Sequence, residues 1–578
     1  MDNPAKSHGL NISDKETQQE LTDKLSSLET QHKEEEVKQR AASDGWTYIS
    51  LDGFPISQEA LKIIPQETAS ALRTICFLYT GDEIRLASAT PENPQVSALS
   101  KELAEKHHAR IKIYLVSQAS LDQAMKIYAG IPNIEQIEGV KITATDLDKF
   151  SADLSDLQTL NEMLQKINLT EMLTLVIAAG LKFNSSDIHI ESEEKEVKVR
   201  LRIDGILQDV ATLPPGSRSK ISARIKLLSG LKLNIADKPQ DGRFTIKLAK
   251  DSVDVRVSVI PSSYGESIVM RLLKASSIGL EFEALGLRGK SFNDLSNEVA
   301  KPNGMIITTG PTGSGKTTTL YAILNKLNGP ETKIITLEDP IEYKLPGIVQ
   351  SQVENSRSND EVGAKGEIRK KNYYTFAKGL RALLRQDPDV VMVGEIRDLE
   401  TADTAINAAL TGHLMLTTLH TNSAAGAIPR FLAMGVQPFL LAPSLNAIIG
   451  QRLVRRLCPA CKAEDPVDNK TLTEVMNALN AISPQSGAKP DNIADLKFYK
   501  AKGCDKCNNL GYKGRVGIYE VLTMSPAIEK NILSGSVSES DIENIAIEEG
   551  MITMLQDGIL KAIDGTTSLG EVLDKAKD

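Results

Sequence analysis

No run of apolar residues in this 578-residue chain approaches the roughly 18 that a membrane-spanning helix requires. A chain threaded through the bilayer as helices is thereby excluded. Positive charge is not in excess either, since 67 Lys and Arg against 76 Asp and Glu give a formal net charge of -9. That is a poor footprint for gripping phosphodiester backbones, so direct nucleic-acid binding is not expected. Cysteine is scarce: of five residues, four fall into two C-x-x-C pairs and Cys76 stands apart, where it is expected only to pack. In a reducing compartment such pairs point to metal before disulfides. Residues 1–20 are polar, without the charged, apolar and small-residue blocks of a leader, so a cytoplasmic location is expected. At this length, with 41% hydrophobic residues, the chain is too long for one core, because single cores rarely grow past about 250 to 300 residues. Three or four domains are expected.

Residues 1–45 read as a polar, mobile tail, with Leu21, Leu25 and Leu28 its only hint of a helical stripe. Residues 46–133 alternate short apolar runs with charged, helix-like stretches, as in a small α/β domain, and 134–159 is an acidic linker. In the next region, 160–290, Val197, Val199, Leu201 and Ile203 alternate with Lys198, Arg200, Arg202 and Asp204, and Val253, Val255, Val257 and Val259 with Asp254, Arg256 and Ser258. These are half-buried strands. Arg256 lies on the open face, as a solvated side chain or as a group free to reach a ligand. Beyond residue 301 the pattern becomes short, continuous apolar strands followed by helices, the mark of a parallel sheet covered on both faces. Catalytic groups in such sheets gather at the carboxyl ends of the strands.

One such end carries Gly310-Pro311-Thr312-Gly313-Ser314-Gly315-Lys316-Thr317, between the apolar run 305–309 and a helix in which Leu320, Ile323, Leu324 and Leu327 share a face. Glycines there let backbone N–H groups wrap phosphates, the helix N-terminus adds partial positive charge, Lys316 reaches the β and γ phosphates, and Thr317 ligates magnesium. Thr318 belongs to the same phosphate site. A second strand, 333–337, runs into Glu338-Asp339-Pro340-Ile341-Glu342, and a third, 390–393, into Gly394-Glu395-Ile396-Arg397-Asp398. Phosphoryl transfer to water needs one acid to handle the water and another for the metal shell. His413 and His420 bracket a fourth strand, 414–419, with His420 at its carboxyl end.

With these residues in place the chain resembles the type II secretion and type IV pilus assembly ATPases over nearly all of 46–578. Residues 310–317 are similar to that family's Walker A motif, 338–342 to its aspartate box, 394–398 to its Walker B motif, and Thr411-Gly412-His413 with His420-Thr421 to its histidine box. The resemblance implies an α/β fold: a RecA-like P-loop core, 291–451, preceded by a PAS-like domain, 160–290, that carries arginines. It makes Glu342 the general base, Glu395 the Walker B acid, His420 a γ-phosphate sensor, and Glu338 a support for the metal or its water. Arg256 and Arg271 match arginines that approach the nucleotide from the preceding domain, and Arg381 and Arg385 match another family pair. An arginine presented to the transferring phosphate is worth about a thousandfold in rate, so its attachment to a separate domain couples chemistry to motion. The resemblance further implies ATP and Mg2+, a ring of six subunits, and an integral inner-membrane platform protein as partner, on the inner face of the membrane. Pilus assembly and pseudopilus assembly for type II secretion use the same engine and stay open, as does, more remotely, a nucleic-acid-stimulated translocase.

Cys458, Cys461, Cys504 and Cys507 form two knuckles of tetrahedral-zinc spacing within a module spanning 452–515. Four thiolates leave no position for water, so the zinc is expected to be structural; redox-active pairs are the alternative. Residues 516–578 read as a helical region with Met551, Leu555, Ile559 and Ile563 along one stripe. The charged stretch 354–371 is longer than the family's usual connection and is expected to be a surface loop.

Overall fold

The structure, a computed structural model, describes residues 33–576 apart from 62, 81–82, 108, 131–146, 148–149, 151–153, 155, 168, 249–251, 275–280, 354–360, 363–367, 370–373, 491–495 and 536. The expectations for Leu21, Leu25 and Leu28, for most of the 134–159 linker and for most of the 354–371 stretch lie outside the described residues. The chain forms two compact units, Met1–Gly139 and Val140–Asp578.

In the first unit a four-stranded sheet is built from β1 (Thr47–Tyr48), β2 (Thr74–Tyr79), β3 (Glu83–Ser88) and β4 (Arg110–Leu115), in the order β1-β4-β3-β2. The helix Pro94–His107 connects β3 to β4, and the two strands pair in parallel, as a crossover of that length allows. Ile75, Phe77, Ile84 and Leu86 fill the core. Cys76 is buried among them, and burial pushes its thiol up to about 12, which leaves it an inert packing group.

The second unit contains two large sheets. Six antiparallel strands, β5 (Asp187–Ser192), β6 (Val197–Ile203), β7 (Ile206–Leu213), β8 (Gln240–Lys247), β9 (Ser252–Ser262) and β10 (Gly265–Lys274), lie in the order β7-β6-β5-β10-β9-β8. Strict alternation has the expected result. The valines of β6 and β9 pack with Leu173, Val176 and Ile177 of the helix Leu169–Lys182, and the charged residues between them line the other face.

The other sheet comprises β11 (Gly304–Thr309), β12 (Ile334–Glu338), β13 (Val349–Gln352), β16 (Val390–Val393), β17 (Leu414–Leu419), β18 (Leu445–Leu457) and β21 (Tyr512–Thr523), in the order β13-β12-β16-β17-β11-β18-β21. Its pairs are parallel except β18 with β21. Both faces are covered: Met305 and Ile307 of β11 belong to one buried cluster and Ile306, between them, to another. This is why these strands read as continuous apolar runs rather than alternating ones. A small ladder, β14 (Glu361–Val362) with β15 (Ile368–Arg369), is the described part of the 354–371 stretch.

Residues 452–457 and 512–515 run within β18 and β21, so the four cysteines sit in the connection between two strands of this sheet. That connection also holds the helix Asn469–Asn480 and a ladder of β19 (Ala463–Glu464) with β20 (Tyr499–Lys500). Its helix packs with Leu555, Ile559 and Ile563 of the helix Met554–Ile563.

Candidate active site

β11 ends at Thr309, the chain turns through residues 310–315, and the helix Lys316–Leu327 begins. Gly310 and Gly313 adopt positive φ, 144° and 80°. They serve different needs. A Cβ on Gly310 would stand 2.4 Å from the carbonyl oxygen of Gln451, whereas one on Gly313 would meet nothing within 4 Å. The loop is thus pressed against β18 on one side and open on the other.

Lys316 is 9% exposed, and its Nζ donates to the carbonyls of Gly310 (2.7 Å) and Pro311 (3.1 Å). Burial holds its pKa below the usual lysine value, against the opposing charge of Glu395, and among the described residues no carboxylate forms an ion pair with it. A buried ammonium without a paired carboxylate is costly. The Ser314 hydroxyl beside it is buried with no hydrogen-bond partner among the described residues. A cation, an unpartnered hydroxyl and an open glycine at a helix N-terminus fit the phosphates of a nucleotide. Thr317, half-buried, and Thr318, exposed, follow in the first turn.

The acids divide by environment. Glu338, at the end of β12, is 3% exposed and accepts hydrogen bonds from Tyr321, from Thr336 Oγ1 (2.6 Å) and from Gln350 Nε2 (3.0 Å). It ties the phosphate-loop helix to β12 and β13. Glu342, four residues on and partly exposed, meets Arg256 of β9: Nη1 lies 3.2 Å from Oε2, and the same guanidinium donates to the carbonyl of Ile341. Glu395, beyond β16, pairs with Arg397 and lies 3.7 Å from His420 Nε2. Burial first, and Lys316 second, hold His420 below the usual histidine pKa, so the imidazole is neutral at pH 7. Its neighbour Thr421 is fastened to the end of β11 through Thr309 Oγ1, 2.9 Å from the Thr421 N–H. His413 is at the opposite end of β17, with Nδ1 3.0 Å from the carbonyl of Ala408.

Arg271 bonds Asp187 (Nε to Oδ1, 2.9 Å), which raises its pKa, with Glu342 adding to the effect. Strand register sets these residues in one row across the sheet: Arg243 opposite Arg256, Arg256 opposite Arg271, Arg271 opposite Asp187, and Asp187 opposite Arg202. Four guanidiniums thus share a row with one carboxylate. Arg381 pairs with Glu400 (2.6 Å) and Arg385 donates to the carbonyl of Arg381 (2.9 Å); neither is joined to the phosphate loop. Asp398 caps the helix Leu399–Leu410 by accepting from Thr401 N–H.

Sequence reasoning passes over three contributors. Arg243 and Asp187 are invisible without strand register. Gln451, on β18, donates from Nε2 to the Ser314 carbonyl (2.9 Å) and accepts from Thr319 Oγ1 (2.7 Å), so one side chain spans the loop and the helix it opens. A single glutamine in an apolar strand carries no motif, and its polarity among buried neighbours is the only available signal.

The four cysteine sulfurs lie within 4.8 Å of one another. Three of their separations, Cys458 to Cys504, Cys461 to Cys507 and Cys504 to Cys507, are 3.9, 3.8 and 3.7 Å. A tetrahedron of thiolates about 2.3 Å from zinc has edges of about 3.8 Å. The Gly511 N–H, 3.2 Å from Cys507 Sγ, supplies an outer hydrogen bond of the kind that steadies a metal-bound thiolate.

Residues 162–574 match the family described as Type II/IV secretion system protein. The type IV pilus assembly ATPase PilB of Myxococcus xanthus is 37% identical over 91% of this chain and 88% of its own length. PilB of Pseudomonas aeruginosa is 42% identical over 81% of this chain and 76% of that protein. Type II secretion system protein E of Aeromonas hydrophila is 44% identical over 70% of this chain and 75% of that protein.

Proposed function

The chain belongs to the type II/IV secretion system protein family and is an ATPase of the secretion and pilus-assembly kind, and from that premise we propose that it hydrolyses ATP to drive polymerisation of a type IV pilus. The observation that carries hydrolysis is the buried, unpaired ammonium of Lys316 beside the unpartnered Ser314 hydroxyl, with Glu395 and Glu342 at neighbouring strand ends. Lys316 and the N–H groups of residues 310–315 hold the phosphates. Thr317 and Glu395 would hold magnesium, which would supply charge neutralisation at the transferring phosphate. Glu342 takes the proton of the attacking water, Glu338 would support the metal or its water, and His420 hydrogen-bonds the γ phosphate. Arg256 and Arg271 bring positive charge from the antiparallel sheet. The architecture we assign is a RecA-like core, 291–451, preceded by a PAS-like domain, 160–290. Zinc at the four cysteines is structural.

Pilus assembly is preferred to type II secretion because the Myxococcus xanthus pilus relative aligns with 91% of this chain, the Aeromonas hydrophila secretion relative with 70%. The reading includes a ring of six subunits seated on an inner-membrane platform protein at the cytoplasmic face. Among the described residues no helix is long and apolar enough to cross a membrane, so attachment through a partner suits the chain. Glu342→Gln tests the core of this reading. ATP binding, measured by calorimetry, should persist while hydrolysis falls by about a thousandfold or more; full turnover in that variant would remove Glu342 from its role.

A further inference from the structure

The chain that leaves the four cysteines reaches the sheet that carries Arg256. Leu510, three residues beyond Cys507, packs against the hydrophobic core beneath that sheet. The Gly514 N–H donates to Asp204 Oδ2 at 2.8 Å, across 310 residues of chain. Asp204 and Gly205 form the two-residue turn between β6 and β7, at φ of 49° and 89°, the left-handed pair that a tight hairpin requires.

Cys507 shapes the opposing loop. Its carbonyl accepts from Leu510 N–H (3.0 Å), its Sγ accepts from Gly511 N–H (3.2 Å), and the Gly511 carbonyl accepts from Cys458 N–H (3.0 Å). The presentation of Leu510 therefore follows from where the cysteines are held. Beside it Arg455, which feels the charge of Asp204, lies 3.9 Å over the Tyr512 ring and pairs with Glu571.

The arginine-bearing sheet thus meets the rest of its unit both at the aspartate box, through Arg256, and at this loop. A partly exposed ion pair such as Arg256 with Glu342 is too weak to seat a domain alone. We propose that the loop following Cys507 is the pivot on which the arginine-bearing domain rests, so that the four-cysteine module sets the distance between Arg256 and Glu342. This rests on the reading that Arg256 serves hydrolysis.

The test uses the full-length protein with Asp204→Gly, Asp204→Asn and Leu510→Ala. Glycine keeps the left-handed turn but removes the acceptor, whereas asparagine keeps both. In Asp204→Gly and Leu510→Ala, amide exchange should quicken at 203–206 and 510–515, and kcat should fall about tenfold or more with KM for ATP unchanged. Asp204→Asn should match the wild type. Stripping the metal with a chelator should also quicken exchange at 203–206, where no cysteine lies. Wild-type exchange at 203–206 in both disrupting variants, or faster exchange with undiminished turnover, would overturn the pivot. Undiminished turnover in Arg256→Gln would instead overturn the role of Arg256 and leave the exchange result to judge the contact.

Discussion

The parallel sheet and the antiparallel sheet of the second unit both bring charged groups to residues 338–342, but they hold them differently. On the parallel side Lys316, Glu338 and Gln451 are tied by atoms of that sheet and the helix and loop beside it. Lys316 is bound by its own loop, Glu338 accepts three hydrogen bonds, and Gln451 joins loop to helix. On the antiparallel side the side chains of Arg256 and Arg271 are 30% and 57% exposed, and Arg256 finds its partners, Glu342 and the Ile341 carbonyl, beyond the end of β12. The difference follows from the strands. A strand buried on both faces carries few polar groups, and those it has must be bonded within its own layer, whereas an alternating strand presents a whole face of them. The first arrangement fixes each group from within one sheet, and the second offers exposed charges whose partners lie beyond their own sheet.

The comparison breaks most sharply at Arg256. Replacing it by Gln should lower kcat by about a thousandfold while nucleotide affinity, read by calorimetry, is retained, because the guanidinium comes from the antiparallel sheet and not from the phosphate loop. An equal loss of affinity would place Arg256 with the phosphate-loop half of the site. Gln451→Leu should do the reverse. Losing two hydrogen bonds of about 1 kcal/mol each should weaken ATP binding by about tenfold or more and affect kcat less. A fall in kcat alone would show that the loop does not depend on this brace.

The smallest effect concerns the far edge of the parallel sheet. Glu520 of β21 is 4% exposed, and burial pushes its carboxyl up to about 6, against the N–H groups of Ala424 and Met554 that it accepts from. Its folded pKa is raised, so the native state binds the proton more tightly than the unfolded chain. Its contribution to stability is therefore present at acid pH and is lost as pH rises from about 4.5 to about 6, by about 2 kcal/mol. Melting of wild type against Glu520→Gln should show that difference developing across this window, with Glu520→Gln the less pH-dependent. A difference constant with pH would mean that the carboxyl titrates normally.

Much of the site was legible because its chemistry is local. Residues 310–317 need only their own glycines, a strand before and a helix after, and 338–342 and 394–398 declare themselves as acids placed where an apolar run ends. His420 was legible on the same ground. The row Arg243, Arg256, Arg271, Asp187 and Arg202 was not, because strand register depends on pairings far apart in the chain. Nor was the environment of Glu338, whose donors come from a helix, its own strand and the next one.

The sequence by itself determined the kind of molecule this is: an α/β chain with a phosphate loop, acids at strand ends, a half-buried sheet bearing arginines, and four cysteines at metal spacing. Periodicity and motif spacing suffice for that, since backbone geometry imposes them within a few residues. Tertiary structure decided which charges meet. Arg256 reaches Glu342 across 86 positions of chain, and Asp204 reaches Gly514 across 310, because the sheets bring their edges together in space. Contacts of that range leave no periodic trace in the sequence, as each depends on the packing of all that lies between.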